Sequence, residues 1–297
     1  MNILILGGTQ YMGIHLVNEL LKKGHNVTIA TRGKASDSFG DKIKRLIIDR
    51  QDPASLEGTF KDKFYDVTID NIAYSSNDIR HLLDVLQTGK YIITSTVSVY
   101  SNHLHENMRE EEVDTKSHPL RWLDYEDLTY DEAKRQAEAA LFQAYPNQQS
   151  AAVRIPFVFG KDDYTERLFF YADHILNEKP MNIDNLKSQL SFINSQEAGR
   201  FLAHVATTPA TGVINASSSG TISLEEIITY IEENTGKKAI FSEDGTEGPL
   251  NQAPDFSLDT TLAKKSGFQF QKIDDWVYPL LDHWIETLSN YLIINGE

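Results

Sequence analysis

Short apolar runs alternate with helical patterns through the first two thirds of the chain. Asn2–Leu6 is an apolar run of buried-strand length. Gly13–Lys23 then places Ile14, Val17, Leu20 and Leu21 at helical spacing, and Gly24 stands where a left-handed residue would end that helix. Val27–Thr31 is short and β-branched and reads as a second strand. Arg45–Ile48, Asp66–Asp70, Tyr91–Thr96 and Ala151–Ile155 read as the next four, with helices at Asp78–Leu86 and Leu128–Phe142. Alternation of this kind predicts a parallel sheet covered on both faces.

The pattern loosens after Gly160. A helix is expected at Leu168–Ile175, a short strand at Ser191–Ile193, a helix at Gln196–Val205, and a strand returning to the sheet at Gly212–Asn215. Ser223-Leu-Glu-Glu226 is a capping box that opens a helix through Glu233, closed near Gly236. A last amphipathic helix covers about Trp276–Leu292. No internal repeat or low-complexity tract interrupts the chain.

The first strand runs straight into Gly7-Gly8-Thr9-Gln10-Tyr11-Met12-Gly13, and a helix follows. Glycines there permit a tight turn and close backbone approach, and the helix N-terminus offers free N–H groups to a pyrophosphate. The loop therefore predicts a dinucleotide site. Gln10 stands where the middle glycine of the usual three is expected, so its side chain must turn away from the pyrophosphate or contact it. At the end of the second strand, where an acidic residue commonly accepts the ribose hydroxyl, the chain has Thr31, Arg32 and Gly33. A guanidinium suits a 2′-phosphate, which favours NADP over NAD as the cofactor.

Tyr130 and Lys134 lie one turn apart in a predicted helix, on one face. Of the thirteen tyrosines, no other has a lysine four positions later. Upstream, a strand ends in the hydroxyl-rich Thr94-Ser95-Thr96-Val97-Ser98-Val99-Tyr100. A phenol, with an ordinary pKa near ~10, needs a nearby positive charge to act as a base at neutral pH. Lys134 would supply that charge and hold ribose hydroxyls, Tyr130 would transfer the proton, and Thr96 would orient the substrate oxygen.

These motifs, with Glu138 and Arg154-Ile155-Pro156-Phe157-Val158-Phe159-Gly160, resemble the extended short-chain dehydrogenase/reductase family, which includes NAD-dependent epimerases, dehydratases and reductases. The resemblance covers the whole chain. It implies an α/β fold: a Rossmann doubly wound parallel sheet over residues 1–160, rejoined near 192–217, with a smaller C-terminal α+β substrate lobe over 161–297. It implies that Thr96 is the Ser/Thr of the catalytic triad. Asn71 and Ala73 would sit in a cofactor-facing loop, and Asp49 past the third strand would join them. Pro156, Phe157 and Val158 would face the nicotinamide end. Sugar-nucleotide epimerases commonly carry an arginine just before the Phe of a segment like Ser191-Phe192-Ile193-Asn194, where this chain has Gln189 and Leu190. The Gly-Gly-Thr loop and Asp163-Tyr164-Thr165-Glu166-Arg167 resemble an isoflavone-reductase-like branch that includes chloroplast stem-loop RNA-binding proteins.

Tyr74, Tyr100 and Arg167 are the candidates for substrate contact, Arg167 either with an anionic substrate or in a helix salt bridge. Trp122 and Tyr125 join Tyr100 as possible walls of the site. His103 and His105 lack an evident third ligand, so no metal is expected. Glu110–Glu112 reads as a solvated acidic face.

Composition narrows the partners. The 297 residues carry a net charge of −15, opposite to what phosphate backbones or anionic membranes attract, so neither nucleic acid nor membrane is an expected partner. With no cysteine there are no disulfides or thiolate ligands. No signal-peptide pattern opens the chain and no apolar window reaches the ~18 residues of a membrane span, so a cytoplasmic location is expected. The expected function is an NAD(P)-dependent oxidoreductase acting on a hydroxyl or carbonyl of a small molecule, with room for a homodimer. A sugar-nucleotide epimerase or dehydratase is the alternative. A non-catalytic dinucleotide-sensing or RNA-associated protein is a third reading.

Overall fold

Seven parallel strands form the central sheet of the computed structural model, which describes residues 1–295; the last two residues of the C-terminal lobe expected above lie outside them. In chain order they are β1 (Asn2–Leu6), β2 (Asn26–Thr31), β3 (Lys44–Ile47), β4 (Phe64–Asp70), β5 (Gln87–Thr96) and β6 (Gln149–Ile155). The short strands β7 (Phe157–Phe159), β8 (Pro180–Asn182) and β9 (Phe192–Asn194) precede β10 (Gly212–Asn215), the seventh strand of the sheet. The spatial order is β3-β2-β1-β4-β5-β6-β10, which reverses direction between β1 and β4. That reversal is the switch point of a Rossmann sheet, where a crevice opens beyond the strand C-termini.

Both faces of the sheet are covered because its strands are apolar on both. Ile3, Ile5, Ile29, Val67 and Ile92 pack against Leu16, Val17 and Leu20 of α1 (Met12–Lys22) and Phe201 and Leu202 of α6 (Ser195–Thr207). Leu4, Leu6, Ile93 and Ala152 pack on the other face, against Leu56 and Phe60 of α2 (Pro53–Phe60), Ile79 and Leu82 of α3 (Ser76–Leu83) and Ala137 of α4 (Tyr130–Ala139). α1 and α6 touch through Gly199, where a Cβ would come within 2.6 Å of the Leu16 nitrogen; a side chain there would separate the helices.

A second apolar core lies beyond β7. It joins α5 (Phe169–Leu176), α7 (Leu224–Thr235) and α9 (Asp274–Asn295) through Tyr171, Ile175, Ile227, Ile231, Val277 and Leu281. β7 pairs with β9, outside the main sheet, while β10 returns beside β6. β8 pairs with β11 (Ile240–Phe241) and β12 (Thr246–Glu247), and α8 (Thr261–Lys265) packs near β10. The Ser223 capping box and the left-handed Gly236 bound α7 as the sequence pattern implies. The small elements β7, β8, β11, β12 and α8 are too short to show a period.

Several boundaries differ from expectation, most clearly around the helices and strand that carry the site. α3 starts at Ser76 because Ser75 and Asp78 form a capping box, and it ends at Leu83, four residues before β5 begins. β5 starts at Gln87, four residues earlier than expected, and ends at Thr96 as expected; Val97–Tyr100 form a single 3₁₀ turn begun by the Thr96 side chain capping the Ser98 N–H. α4 starts at Tyr130, two residues later than expected, and widens into a π-type turn at Ala140–Ala144.

Candidate active site

The glycine loop forms one wall of a cleft of about 770 Å³ at the switch point. Gly7 and Gly8 have φ of 88° and 100°, which permit the sharp turn out of β1. Gly13 lies against Gly8, and a Cβ on Gly13 would sit 2.6 Å from the Gly8 Cα, so the helix can approach the strand only without a side chain. Tyr11 precedes α1 without a side-chain cap; the Gly13 and Ile14 N–H groups turn back to the carbonyls of Gln10 and Tyr11, both at 3.0 Å. Gln10 is exposed at the rim.

Gly7, Gly8, Thr9, Gln10, Tyr11, Met12, Gly13, Arg32, Asp49, Asn71 and Tyr74 all line this cleft. Lys34, Gln51 and Tyr164 line it too. Their signals were slight: Lys34 lies two residues past Arg32, and Tyr164 belongs to the Asp163–Arg167 segment. Ala73, Pro156, Phe157 and Val158 are not in the wall. Ala73 is buried and offers its carbonyl to Lys134, while the Val158 carbonyl accepts the Tyr11 hydroxyl. Asn71 accepts from the Thr94 hydroxyl at 2.8 Å, and its buried amide Nδ2 at the cleft has no protein partner.

A buried ion cluster shapes the loop that carries Asn71, Ala73 and Tyr74. Arg50 is 7% exposed and pairs with Asp70 at 2.6 Å and Asp78 at 3.1 Å; the Tyr91 hydroxyl donates to Asp70 at 2.6 Å. Asp78 Oδ2 then accepts the backbone N–H groups of Tyr74 and Ser75 at 2.8 and 3.0 Å. Nothing in local spacing pairs Arg50 with carboxylates 20 and 28 residues away, so this cluster was not foreseen.

Thr96, Tyr130 and Lys134 converge beside the cleft. Thr96 ends β5, Tyr130 is the first residue of α4, and Lys134 is one turn further on the same face. The Thr96 hydroxyl, bonded to Ser98 Oγ at 3.3 Å, lies near enough to the Tyr130 phenol to pull its pKa down. Lys134, 3% exposed, donates to the carbonyls of Ala73 at 2.8 Å and Thr94 at 2.9 Å. Its Nζ lies 4.5 Å from the ring centre of Tyr74 and 6.0 Å from that of Tyr130. Tyr74 packs in turn against Tyr125 and Tyr130, at 5.5 and 6.5 Å between ring centres.

The electrostatics depart from expectation in one respect. Burial raises the Tyr130 phenol; the nearby Thr96 hydroxyl and the Arg167 charge pull it down without reversing that direction. With the protein groups alone Tyr130 is a proton donor at neutral pH. Burial lowers Lys134 to about 8, against the upward pull of Asp70 and Asp78.

Two expectations are corrected. Tyr100 does not wall the site: it is fully buried, donates to Asn215 at 2.9 Å and accepts from Arg154 at 2.8 Å, because the 3₁₀ turn after Thr96 carries it inward. Glu110 is not solvated: it is 8% exposed and accepts the Asn215 N–H at 2.8 Å, and burial raises its carboxyl. Of the remaining residues, Trp122 lies under the Arg80 guanidinium, and His105 pairs with Glu112. No cluster of three metal-ligating side chains occurs among the described residues. Arg167 stands before α5 and makes no salt bridge among the described residues; its guanidinium lies 5.3 Å from the Phe157 ring centre.

The position of α4 depends on a second buried pair. Arg154 and Glu138 are both fully buried and bonded twice, at 3.0 and 2.7 Å. Glu138 also accepts the hydroxyls of Thr115 and of Ser95, the neighbour of Thr96. The pair joins α4 to β5 and β6, holding the Tyr130–Lys134 turn against the strand end.

Residues 3–217 match the model of the NAD dependent epimerase/dehydratase family, which is most of the chain. The chain belongs to that family. Among curated relatives, the chloroplast stem-loop binding protein of 41 kDa b from Arabidopsis thaliana is 32% identical over 141 residues. The match spans 42% of this chain and 37% of that protein, so the chain covers little more than a third of this relative's length. Solved structures of similar fold include UDP-glucose 4-epimerase from Thermotoga maritima with UDP-glucose, at 16% identity and TM-score 0.74, covering 97% of this chain and 100% of that one. The UDP-glucose 4-epimerase of Thermus thermophilus in complex with NAD is 15% identical with TM-score 0.68, covering 96% and 99%. A UDP-glucuronic acid 4-epimerase variant from Bacillus cereus, in complex with NAD and a fluorinated substrate analogue, is 17% identical with TM-score 0.75, covering 97% and 100%. This member of the epimerase/dehydratase family thus has the extended short-chain dehydrogenase/reductase fold. No helix among its described residues is long and apolar enough to cross a membrane.

Proposed function

We propose that this family member is an NAD(P)-dependent oxidoreductase that interconverts a hydroxyl and a carbonyl on a small molecule. The observation that carries the reading is the meeting of Thr96, Tyr130 and Lys134 beside the glycine-loop cleft. The cleft fits a dinucleotide: its volume, its uncapped helix N-terminus and the unpartnered Asn71 amide are all suited to a polar, anionic ligand. Gly7–Gly13 would hold the pyrophosphate, with Gln10 touching it from the rim. Asp49 would sit at the adenosine end, beside Arg32 and Lys34. Two cations there favour NADP, whose additional phosphate they would bind. Asn71, Ala73, Pro156, Phe157 and Val158 would position the nicotinamide end.

When bound, the cofactor supplies the hydride donor or acceptor. Tyr130, as a neutral phenol, donates its proton to the carbonyl oxygen during reduction and takes it back during oxidation. Thr96, whose hydroxyl neighbours the phenol, orients that oxygen. Lys134 balances the charge that appears on Tyr130, with two of its three protons already fixed on backbone carbonyls.

A sugar-nucleotide epimerase is the second reading, supported by family membership. Gln189 is occupied by Thr221 and Glu226, and Leu190 is fully buried, so neither presents a cation to a diphosphate. A panel of carbonyl compounds and sugar nucleotides, followed by absorbance of reduced cofactor and by product stereochemistry, separates the two. Net cofactor turnover supports the oxidoreductase; an inverted product without net turnover establishes the epimerase. Retention of the Thr–Tyr–Lys group weighs against a non-catalytic role.

A further inference from the structure

Arg167 is held as a fixed cation at the edge of the site, and none of the contacts that hold it is a carboxylate. Asp163, 7% exposed, accepts both the N–H and the hydroxyl of Thr165. The Thr165 hydroxyl proton is thereby committed, so its oxygen is left to accept Arg167 Nε at 2.9 Å. The guanidinium lies 5.3 Å from the ring centre of Phe157 and 5.9 Å from that of Phe159, so the side chain is oriented from both ends. Two acidic residues of the same segment are engaged elsewhere: Asp162 holds His15 at 2.9 Å and Ser195 at 2.7 Å, and Asp163 holds Thr165. Among the described residues no carboxylate lies within 4 Å of Arg167, in a chain with 43 acidic and 28 basic residues. Its charge nonetheless reaches the reacting phenol, since Tyr130 feels it.

We propose that Arg167 is a specificity residue whose two terminal nitrogens receive an oxyanion on the substrate, a carboxylate or a phosphate, and so place the adjacent hydroxyl- or carbonyl-bearing carbon at Tyr130. The planar fork matches two oxygens of either group, and its Nε anchor fixes the plane in advance. This assignment rests on the oxidoreductase-type site proposed above, but its first test does not need turnover.

The Nε–H of Arg167, tied to Thr165, gives a resonance identified by its loss in Arg167→Met. Titration of inorganic phosphate and, separately, acetate into the full chain with NADP present should shift it saturably with one or both ions. Phosphate alone indicates a phosphorylated substrate, acetate alone a carboxylated one, and both a shared oxyanion site. If neither ion moves the resonance, or if calorimetry finds unchanged ion binding in Arg167→Met, the proposal is wrong. In Tyr130→Phe the ion response should persist although turnover is lost, so a failure of the catalytic reading leaves a separate trace. The second test compares glucose with glucuronate and with glucose 6-phosphate as oxidisable probes. An anionic member should exceed glucose in kcat/KM, and Arg167→Met should erase that preference by ~10- to 100-fold, chiefly through KM, with Arg167→Lys intermediate. Equal use of neutral and anionic probes by the unaltered protein would also overturn it, as would no use of any of the three together with no ion response.

Discussion

Replacing Glu138 by Gln tests how the catalytic helix is held. The carboxylate receives four donors: Arg154 Nε and Nη2, and the hydroxyls of Ser95 and Thr115. A glutamine amide keeps one acceptor but turns an N–H₂ toward donors, and it leaves the fully buried Arg154 without its counter-charge. Removing one partner of a buried pair costs ~3–5 kcal/mol, far more than a surface pair. For a chain of this size that is a fall in Tm of roughly 6–10 °C, at about 2 °C per kcal/mol. Burial alone would raise the Glu138 carboxyl, but Arg154 and the hydroxyl donors outweigh it and hold it below its ordinary value. A depressed carboxyl stabilises the fold above the unfolded pKa, and the contribution is lost as pH falls through the folded one. The gap between wild type and Glu138→Gln should therefore be full at neutral pH and narrow below about pH 4.3. Urea midpoints across pH, for Glu138→Gln, Arg154→Met and the double variant, measure both effects. The double variant should lose less than the two single losses added, since it leaves no buried charge unpaired. Additivity within about 0.5 kcal/mol, or a single loss under about 1 kcal/mol, would refute the account.

Tyr130→Phe deletes the proton and keeps the ring; cofactor affinity by calorimetry should survive while turnover falls by roughly 10²–10⁴. Arg32→Ala should weaken NADP by about 1.5–3 kcal/mol and NAD far less, and equal losses for both would remove Arg32 from phosphate binding. Gly13→Ala forces a Cβ to 2.6 Å from the Gly8 Cα, so we expect ~1–3 kcal/mol of lost stability and failure to bind either cofactor. With a net charge of −15, the protein should give no salt-sensitive RNA gel shift at physiological ionic strength; micromolar affinity with steep salt dependence would contradict this.

The chain's own pattern determined the elements and their order. Apolar runs of strand length, helical spacing between them, and terminators such as Gly24 and Gly236 are local properties, readable wherever the period repeats. The glycine loop and the Tyr130–Lys134 turn were legible for the same reason, because each is a short segment whose spacing is its geometry. The inward turn of Tyr100, the burial of Glu110, and the networks around Arg50 and Arg154 were not. Each depends on side chains far apart in sequence meeting in a space from which water is excluded. Arg154 reaches Glu138 on α4, Tyr100 after β5 and the carbonyls of Glu110 and Val113 together. Whether Lys134 lowers Tyr130 was likewise a tertiary matter. One turn of helix brings them to the same face, but the carbonyls of Ala73 and Thr94 decide where the ammonium points, and burial decides the direction in which the phenol shifts.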